Sequence, residues 1–295
     1  MPVRELKLNL KPMMKKFEVS MKNNMMGELT GDYLTAIKGR GLEFEGFRPY
    51  SINDDASQID WKATLKAQQV LVKKYIEERN ITVIILFDVS NSMLFASTDK
   101  MKAEYSAELI ASISFAALQA GDYVGLIMFN EGIVNVSPPM MGKRQYYMLT
   151  TKLSNPQMYG GGFDLGKALR YLTGYLKKQA IVIIVSDFFG LKGEWERELT
   201  VASSKFDFMA IVVRDPHDLT IPEDVGQVVI KDPFSEREMV VDSRNIKAAF
   251  ERIAKQEQEK VLNVLKLHRI PFLSLTTDKP FVNPVTSFLK TRTGK

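Results

Sequence analysis

The sequence predicts an α/β protein with a doubly wound, mostly parallel sheet sandwich, preceded by a small β-rich N-terminal lobe. From residue 81 onward, short apolar runs alternate with helical patterns. Each run is apolar at nearly every position, which is typical of strands covered on both faces. Before residue 80, apolar and polar residues alternate instead, as in strands with one face in solvent. The chain has 295 residues and 45% hydrophobic content, enough to bury a full core.

The predicted elements follow in chain order. In the lobe, two segments alternate like strands, Leu42–Tyr50 and Ala67–Glu77. The buried strands of the sandwich are Ile81–Phe87, Asp122–Phe129, Ala180–Ser186, Phe206–Val213 and Ile270–Leu275, with Ile133–Val136 as a short edge strand. The helices are Lys102–Gln119, rich in Ala and Ser, Leu165–Leu176, capped by Asp164, and the amphipathic Ile246–Leu267.

These elements predict three parts. Residues 1–79 form the lobe, residues 80–278 the α/β domain, and residues 279–295 a C-terminal tail. A hairpin insertion is expected near residues 226–242, because Gln227–Ile230 and Met239–Val241 flank the turn residues Asp232 and Pro233. We expect this hairpin to join the N-terminal lobe in space.

Composition and charge exclude several classes of protein. Forty Lys and Arg against 35 Asp and Glu give a net charge of only +5, so no nucleic-acid partner is expected. Without cysteine there is no disulfide, thiolate-bound zinc or cysteine nucleophile. Only His217 and His268 are present, so a catalytic triad or a His-rich metal site is hard to build.

The sequence indicates a cytoplasmic protein with no transmembrane segment. Five basic residues interrupt the N-terminal stretch, so it lacks the apolar core of a signal peptide. The longest apolar runs have the length of strands, well short of the roughly 20 residues that a membrane helix needs. The lack of cysteine also suits a reducing compartment.

Oxygen-bearing side chains follow two of the predicted strands. The run ITVIILFDVSNSM ends in Asp88-x-Ser90-x-Ser92, and Asp187 follows Ala180–Ser186. Ligands of parallel sheets gather beyond the carboxyl ends of the strands, so these groups come within reach of one cation if their strands are neighbours. Carboxylate and hydroxyl oxygens suit Mg²⁺ or Mn²⁺.

Several motifs resemble known families. DVSNSM at Asp88–Met93, with GDYVGLIMF, GGFDLGKAL and IVIIVSDF further on, resembles a von Willebrand factor A-like domain. Upstream, GRGLEFEGFRPYSINDDASQIDWKATLKAQQVLVKKYIEE is similar to the opening motif of the domain of unknown function 58 family, and the similarity extends over roughly residues 30–290, including the segment Asp215–Asp218.

The resemblance implies a metal-ion-dependent adhesion site, carried over residue by residue. Asp88, Ser90 and Ser92 match its first loop, and Asp187 matches the acid after the fourth sheet strand. The third loop departs, because Phe163 stands where the pattern has threonine. Either Asp164 or water fills that place, or the site is degenerate. The upstream motif also departs, with Asn53 for the usual glycine and Ser57 for the usual arginine.

Structural interpretations compete with the functional ones. Asp88, Ser90 and Ser92 can merely satisfy backbone donors in a loop, Asp187 can anchor hydrogen bonds, and Asp164 is typical of a helix cap. GGFDLGKA at residues 161–168 imitates a phosphate-binding loop, but it lacks the final hydroxyl and a preceding strand.

A second polar and aromatic cluster precedes the first core strand. It either fixes a turn that seats the lobe on the sandwich or forms a partner-binding face. The candidate contact residues are Arg48, Tyr50, Asp54, Asp60 and Trp61.

The first functional hypothesis is a non-enzymatic protein-interaction module whose strand-end loops hold Mg²⁺ and receive an acidic side chain from a partner. The resemblance implies a MoxR-type AAA+ ATPase as that partner, because family members are commonly encoded beside such chaperone-like ATPases. This chain is then an adaptor or co-chaperone that also meets protein clients. The alternatives are a metal-dependent phosphoester hydrolase that uses Asp88 and Asp187, and a scaffold that has kept the fold and lost the ion.

Overall fold

A six-stranded sheet forms the centre of the molecule. The computed structural model describes residue 10 and residues 42–51, 54–77, 80–222, 226–235 and 237–290. The strands in chain order are β1 Leu42–Pro49, β2 Leu71–Glu77, β3 Thr82–Asp88, β4 Tyr123–Phe129, β5 Ile133–Met140, β6 Ile181–Ser186, β7 Asp207–Arg214, β8 Gln227–Lys231, β9 Glu238–Asp242 and β10 Phe272–Thr276. The helices are α1 Trp61–Ala67, α2 Lys102–Gln119, α3 Gly142–Leu153, α4 Leu165–Tyr175, α5 Trp195–Ser203, α6 Ser243–Leu267 and α7 Val282–Lys290.

The sheet confirms the predicted fold class. Its order is β10-β7-β6-β3-β4-β5, and every pairing is parallel except that of the edge strand β5 with β4. Counted within the sheet, this is the doubly wound order 3-2-1-4-5-6 read from the β5 edge. The order in which the chain adds strands reverses between β3 and β6. Ligands of such sheets bind at the carboxyl ends of the strands beside this switch point.

Helices cover both faces of the sheet, and alternate residues of the strands supply two separate cores. On β3, Val83, Ile85 and Phe87 join the core that includes α2, α3 and α7. Ile84 and Leu86 point to the other face and join the core built with α4, α5 and α6. Burial on both faces explains why these strands read as continuous apolar runs.

Most predicted core elements are confirmed, but four helices were not predicted. Helix α2 has the predicted bounds, and the other predicted core elements are shifted by a few residues at most. The additional helices are α1, α3, α5 and α7. None of the helices in the described part of the chain is long and apolar enough to cross a membrane.

The two ends of the chain contribute to the core. Helix α7 lies where a tail was expected, and its Val285 and Leu289 are buried against the sheet, which corrects that expectation. In the predicted lobe, residues 1–9 and 11–41 lie outside the described residues. Leu10 is buried in the same core as α2. Strands β1 and β2 form an antiparallel two-stranded sheet, with α1 between them in sequence.

Strands β8 and β9 form an antiparallel hairpin. It makes a two-stranded sheet of its own and shares no strand pairing with β1 and β2 in the described residues, so the expected junction with the lobe is not made through a common sheet. Phe234, in the hairpin turn, instead stacks against Phe163 and Phe189, with ring centroids 6.5 Å and 6.1 Å away. The hairpin turn therefore packs on the loops at the strand ends.

Candidate strand-end site

Asp88 and Asp187 lie at the switch point. Asp88 is the last residue of β3, and Asp187 directly follows β6, its parallel neighbour. Both carboxylates are completely buried. Because the two strands run side by side in the same direction, their ends deliver both acids to one place, together with Ser90 and Ser92 of the loop after β3, which are also buried.

Hydrogen bonds join these four residues into one network. One oxygen of Asp88 accepts from the Ser90 backbone N–H at 2.9 Å, and the other accepts from the Ser186 hydroxyl at 2.6 Å. The hydroxyls of Ser90 and Ser92 lie 3.1 Å apart, and Ser92 donates to Asp187 Oδ1 at 3.1 Å. The residues predicted from the sequence are thus brought together, and Ser186 joins them.

The network also contains a buried lysine that sequence reasoning missed. Lys102, the first residue of α2, is only 2% exposed. Its ammonium donates to Asp187 Oδ2 and to Asp218 Oδ2, both at 2.7 Å. It also lies 5.8 Å from the centroid of the Phe95 ring. The positive charge at this site therefore comes from the chain itself.

A short turn after β7 places the second carboxylate on Lys102. Residues Pro216–Asp218 form a single 3-10 turn, in which Asp215 accepts from the His217 N–H at 2.8 Å and Asp218 accepts from the Asp215 N–H at 2.9 Å. Asp215 is fully buried and also binds the Ser97 N–H at 2.8 Å. The DPHD segment is thus an anchor that fixes Asp218 beside the lysine.

The pKa shifts follow from this arrangement. Burial, together with repulsion from Asp187, raises the pKa of Asp88 to about 7. Burial acts to raise the pKa of Asp187 as well, but attraction to Lys102 and Arg214 outweighs it and the pKa falls. Burial acts to lower the pKa of Lys102, yet Asp187 and Asp218 outweigh it and the pKa rises. Lys102 and Asp187 therefore form a charged pair.

The third loop lies beside the network without joining it. Asp164 caps α4, accepting from the Lys167 N–H at 2.9 Å. Phe163 is half-buried, and its ring centroid lies 5.9 Å from that of Phe129. The stretch that imitates a phosphate-binding loop follows a 3-10 turn, Pro156–Met158, where such a loop requires a strand.

In this arrangement the residues do not fit a divalent cation. Both oxygens of Asp88 and both oxygens of Asp187 accept hydrogen bonds from groups of the chain, and an ammonium already faces Asp187. The side chain of Phe163 offers no oxygen. Across the described residues, no three His, Cys, Asp or Glu side chains group as metal ligands would. The involvement of Mg²⁺ or Mn²⁺ stays a prediction.

The second predicted cluster is held by its own internal contacts, with one exception. Arg48 donates to both oxygens of Asp54, at 2.5 and 2.6 Å, and this pair lowers the pKa of Asp54 to about 2. The Tyr50 hydroxyl donates to the Asp54 carbonyl at 3.3 Å, and Asp60 caps α1. Trp61 is the exception, because 65% of it is exposed to solvent.

The sheet order and the polar switch point define a doubly wound α/β protein with a buried, charge-paired cluster at the carboxyl ends of its strands. The chain belongs to the family described as protein of unknown function DUF58, whose model matches residues 46–260. The match includes Asp88, Asp187, Lys102 and Asp218. The family membership predicted from the upstream motif is confirmed.

Related proteins have been found in mycobacteria. An uncharacterised protein of Mycobacterium tuberculosis and one of Mycobacterium bovis are each 29% identical to this chain over 279 residues, which is 93% of this chain and 87% of each relative. An uncharacterised protein of Mycobacterium avium is 29% identical over 131 residues, or 44% of this chain and 76% of the relative.

Two solved structures from Bacteroides are similar at a lower level. The conserved hypothetical protein BatB of Bacteroides thetaiotaomicron is 16% identical, with a TM-score of 0.48 and coverage of 73% of this chain and 100% of that chain. An aerotolerance-related membrane protein of Bacteroides fragilis is 17% identical, with a TM-score of 0.46 and coverage of 72% and 98%. Similarity at this level is too low to transfer a function.

Proposed function

We propose that this chain is a non-enzymatic protein-interaction module that serves as an adaptor or co-chaperone for a MoxR-type AAA+ ATPase. Membership of the DUF58 family supports the proposal, and the kind of partner is the one that the family resemblance implies. The cytoplasmic location expected from the sequence stays a prediction.

The observation that carries the proposal is the exposed apolar face of α1. Trp61 and Leu65 are 65% and 80% exposed, and at a spacing of four residues they lie on the same side of the helix. Large apolar side chains left in solvent mark interaction surfaces when they cluster, and tryptophan is among the residues most enriched at energetic hot spots. Asp60 fixes the start of this helix by accepting from the N–H groups of Lys62 and Ala63.

The strand-end cluster offers little to a hydrolase. A general base or a metal ligand must reach its substrate, but Asp88 and Asp187 are completely buried and bonded within the chain. The raised pKa of Asp88 suits a base, yet no face of this carboxyl is open to solvent. This burial favours the adaptor role over phosphoester hydrolysis.

The experiment is a direct binding measurement between the purified full chain and the purified MoxR-type ATPase. We expect Trp61→Ser to weaken the complex by roughly 30-fold and Leu65→Ser by roughly tenfold, the sizes typical of an aromatic anchor and its neighbour. Leu267→Ser is the matched control, since Leu267 at the end of α6 is 78% exposed and has the same side chain as Leu65.

Two results would contradict the proposal. One is the absence of any complex between the two folded proteins, or a complex that Leu267→Ser weakens as much as Leu65→Ser does. The other is metal-dependent turnover of a phosphoester that Asp88→Ala abolishes, which would restore the hydrolase.

A further inference from the structure

The cluster at the strand ends pairs buried carboxylates with a positive charge, as a cation site does when its ion is bound. Lys102 contributes one positive charge, held at 2.7 Å by Asp187 on one side and by Asp218 on the other. These contacts are as short as charge-assisted hydrogen bonds become. The lysine stem and the ammonium are 98% shielded from solvent, so this pairing is not an incidental surface contact.

The remaining donors of the cluster are used up as well. Ser92 donates to the second oxygen of Asp187, and Ser90 lies within hydrogen-bond distance of Ser92. The Phe189 N–H also donates to Asp187, at 2.9 Å. A divalent ion would have to break several of these bonds and to share Asp187 with an ammonium that repels it.

We propose that the strand-end cluster is a cation site filled from within, in which the Lys102 ammonium takes the place of a divalent ion and the folded protein binds neither Mg²⁺ nor Mn²⁺ there. The inference goes beyond the adaptor role and does not depend on it. It makes Lys102 the residue that separates this chain from a metal-dependent site with the same Asp-x-Ser-x-Ser loop.

The proposal also gives a reason for the DPHD segment. Asp187 alone would neutralise Lys102, but an ammonium has three donors and Asp187 Oδ2 takes only one of them. Asp218 takes a second, and it is held in position by the N–H of Asp215. The anchor after β7 thus supplies the second acceptor of the internal cation.

The first test uses the wild-type chain alone. Calorimetric titration with MnCl₂ is compared between the wild type and Ser92→Ala, a small change inside the cluster. We expect the wild type to show no saturable Mn²⁺ site that depends on Ser92, so the two titrations should look the same. A saturable site in the wild type that is lost in Ser92→Ala would overturn the proposal.

The second test removes the internal cation. Lys102→Met keeps the length of the stem and removes the charge, so we expect a lower melting temperature in EDTA and a rise when Mn²⁺ is added at constant ionic strength. Lys100→Ala is the control, because Lys100 pairs with Glu108 at the surface and its side chain is 47% exposed. Wild type and Lys100→Ala should not respond to Mn²⁺. A Lys102→Met protein that melts like the wild type, or that ignores Mn²⁺, contradicts the inference.

A third variant covers the case in which Lys102→Met does not fold. Combining Lys102→Met with Asp218→Asn removes one charge of each sign and leaves Asp187 beside Arg214. We expect the double variant to recover a large part of the melting temperature that Lys102→Met loses. A double variant that is as unstable as Lys102→Met would show that the pairing with Asp218 is not what Lys102 supplies.

Discussion

Lys102 decides the charge balance at the switch point. An unpaired lysine in the interior would either lose its proton or destabilise the fold, and removing one member of a buried ion pair typically costs about 3–5 kcal/mol. Lys102 avoids this cost because its ammonium is paired with two carboxylates. The same pair holds α2 to the ends of β6 and β7, so one residue links the helix to the sheet.

Asp88 makes stability depend on pH in a definite direction. Its pKa is raised to about 7 by burial and by the charge of Asp187, whereas an unfolded aspartate titrates near pH 4. The folded protein therefore holds a proton that the unfolded chain releases between about pH 4 and pH 7. The stability that this bound proton adds to the folded state is fully present below about pH 4 and is lost as the pH rises through 7.

We expect Asp88→Asn to remove this contribution. The amide keeps the acceptor for Ser90 N–H and can donate to the Ser186 hydroxyl, so the geometry is retained without the titrating group. The free energy of unfolding of the wild type minus that of the variant should fall by several kcal/mol between about pH 4 and pH 7 and stay constant above. Urea unfolding at steps across this range measures it. A difference that is flat, or that rises with pH, would contradict the shift.

At the level of single residues, the sequence predicted the polar half of the cluster. The strands that precede these residues are recognisable from their apolar runs, and the pairing of β3 with β6 brings the residues together. The residues are Asp88, Ser90, Ser92 and Asp187. The unusual position of Lys102 in its helix can be recognised only once the fold is known. Lys102 stands at the first turn of a helix whose residues are all buried or half-buried, where the helix dipole disfavours a positive charge.

The hairpin formed by β8 and β9 is held to the sandwich by a row of aromatic rings. Phe234 in its turn lies between Phe163 and Phe189, and Gly190 below it has a φ of +79°. A Cβ on Gly190 would come within 2.5 Å of the Phe234 ring, so the ring rests directly on backbone. Phe163 thus has a packing role at the position where the adhesion-site pattern has threonine.

Removing this ring should release the hairpin and leave the sandwich folded. We expect Phe234→Ala to cost about 1–2 kcal/mol of local stability, less than a fully buried phenylalanine because Phe234 is half-buried. Backbone amides of β8 and β9 should then exchange with solvent roughly tenfold faster, while those of β3 are unchanged. Met239→Ala on the same hairpin is the control, since Met239 is 60% exposed. Equal acceleration in both variants would contradict a specific role for Phe234.

Among the elements that escaped prediction, α3 has a clear physical reason. Helix α3 buries Gln145 and Thr150 together with Tyr146, Leu149 and Leu153, so its buried face is not apolar in the sequence. The buried Gln145 side chain is stabilised because it donates to the carbonyls of Val124 and Pro138, at 2.6 and 2.9 Å. Contacts of this kind depend on tertiary structure and leave no periodic apolar pattern.

On the scale of the whole molecule, the buried charged cluster and the exposed apolar face of α1 lie on different elements. The switch point is closed by burial, by ion pairing and by the hairpin turn. Among the described residues before the sandwich, the exposed large apolar side chains are Phe47, Trp61, Leu65 and Val70. Phe95 and Phe189 beside the switch point are 44% and 45% exposed, less than Trp61 and Leu65. The sandwich thus has the properties of a scaffold, and the segment around α1 those of a contact surface.

This separation predicts that the complex with a MoxR-type ATPase does not need a metal ion on this chain. A chelator would also strip the magnesium nucleotide from an AAA+ ATPase, so EDTA is applied to this chain alone and removed before mixing. We expect the dissociation constant to change less than about twofold after this treatment, and likewise in Ser92→Ala, because neither alters the face of α1. Trp61→Ser supplies the positive control for a lost contact. A complex that disappears after EDTA treatment and returns with added Mg²⁺ or Mn²⁺ would place a cation at the interface, and the strand-end loops would then be the binding surface.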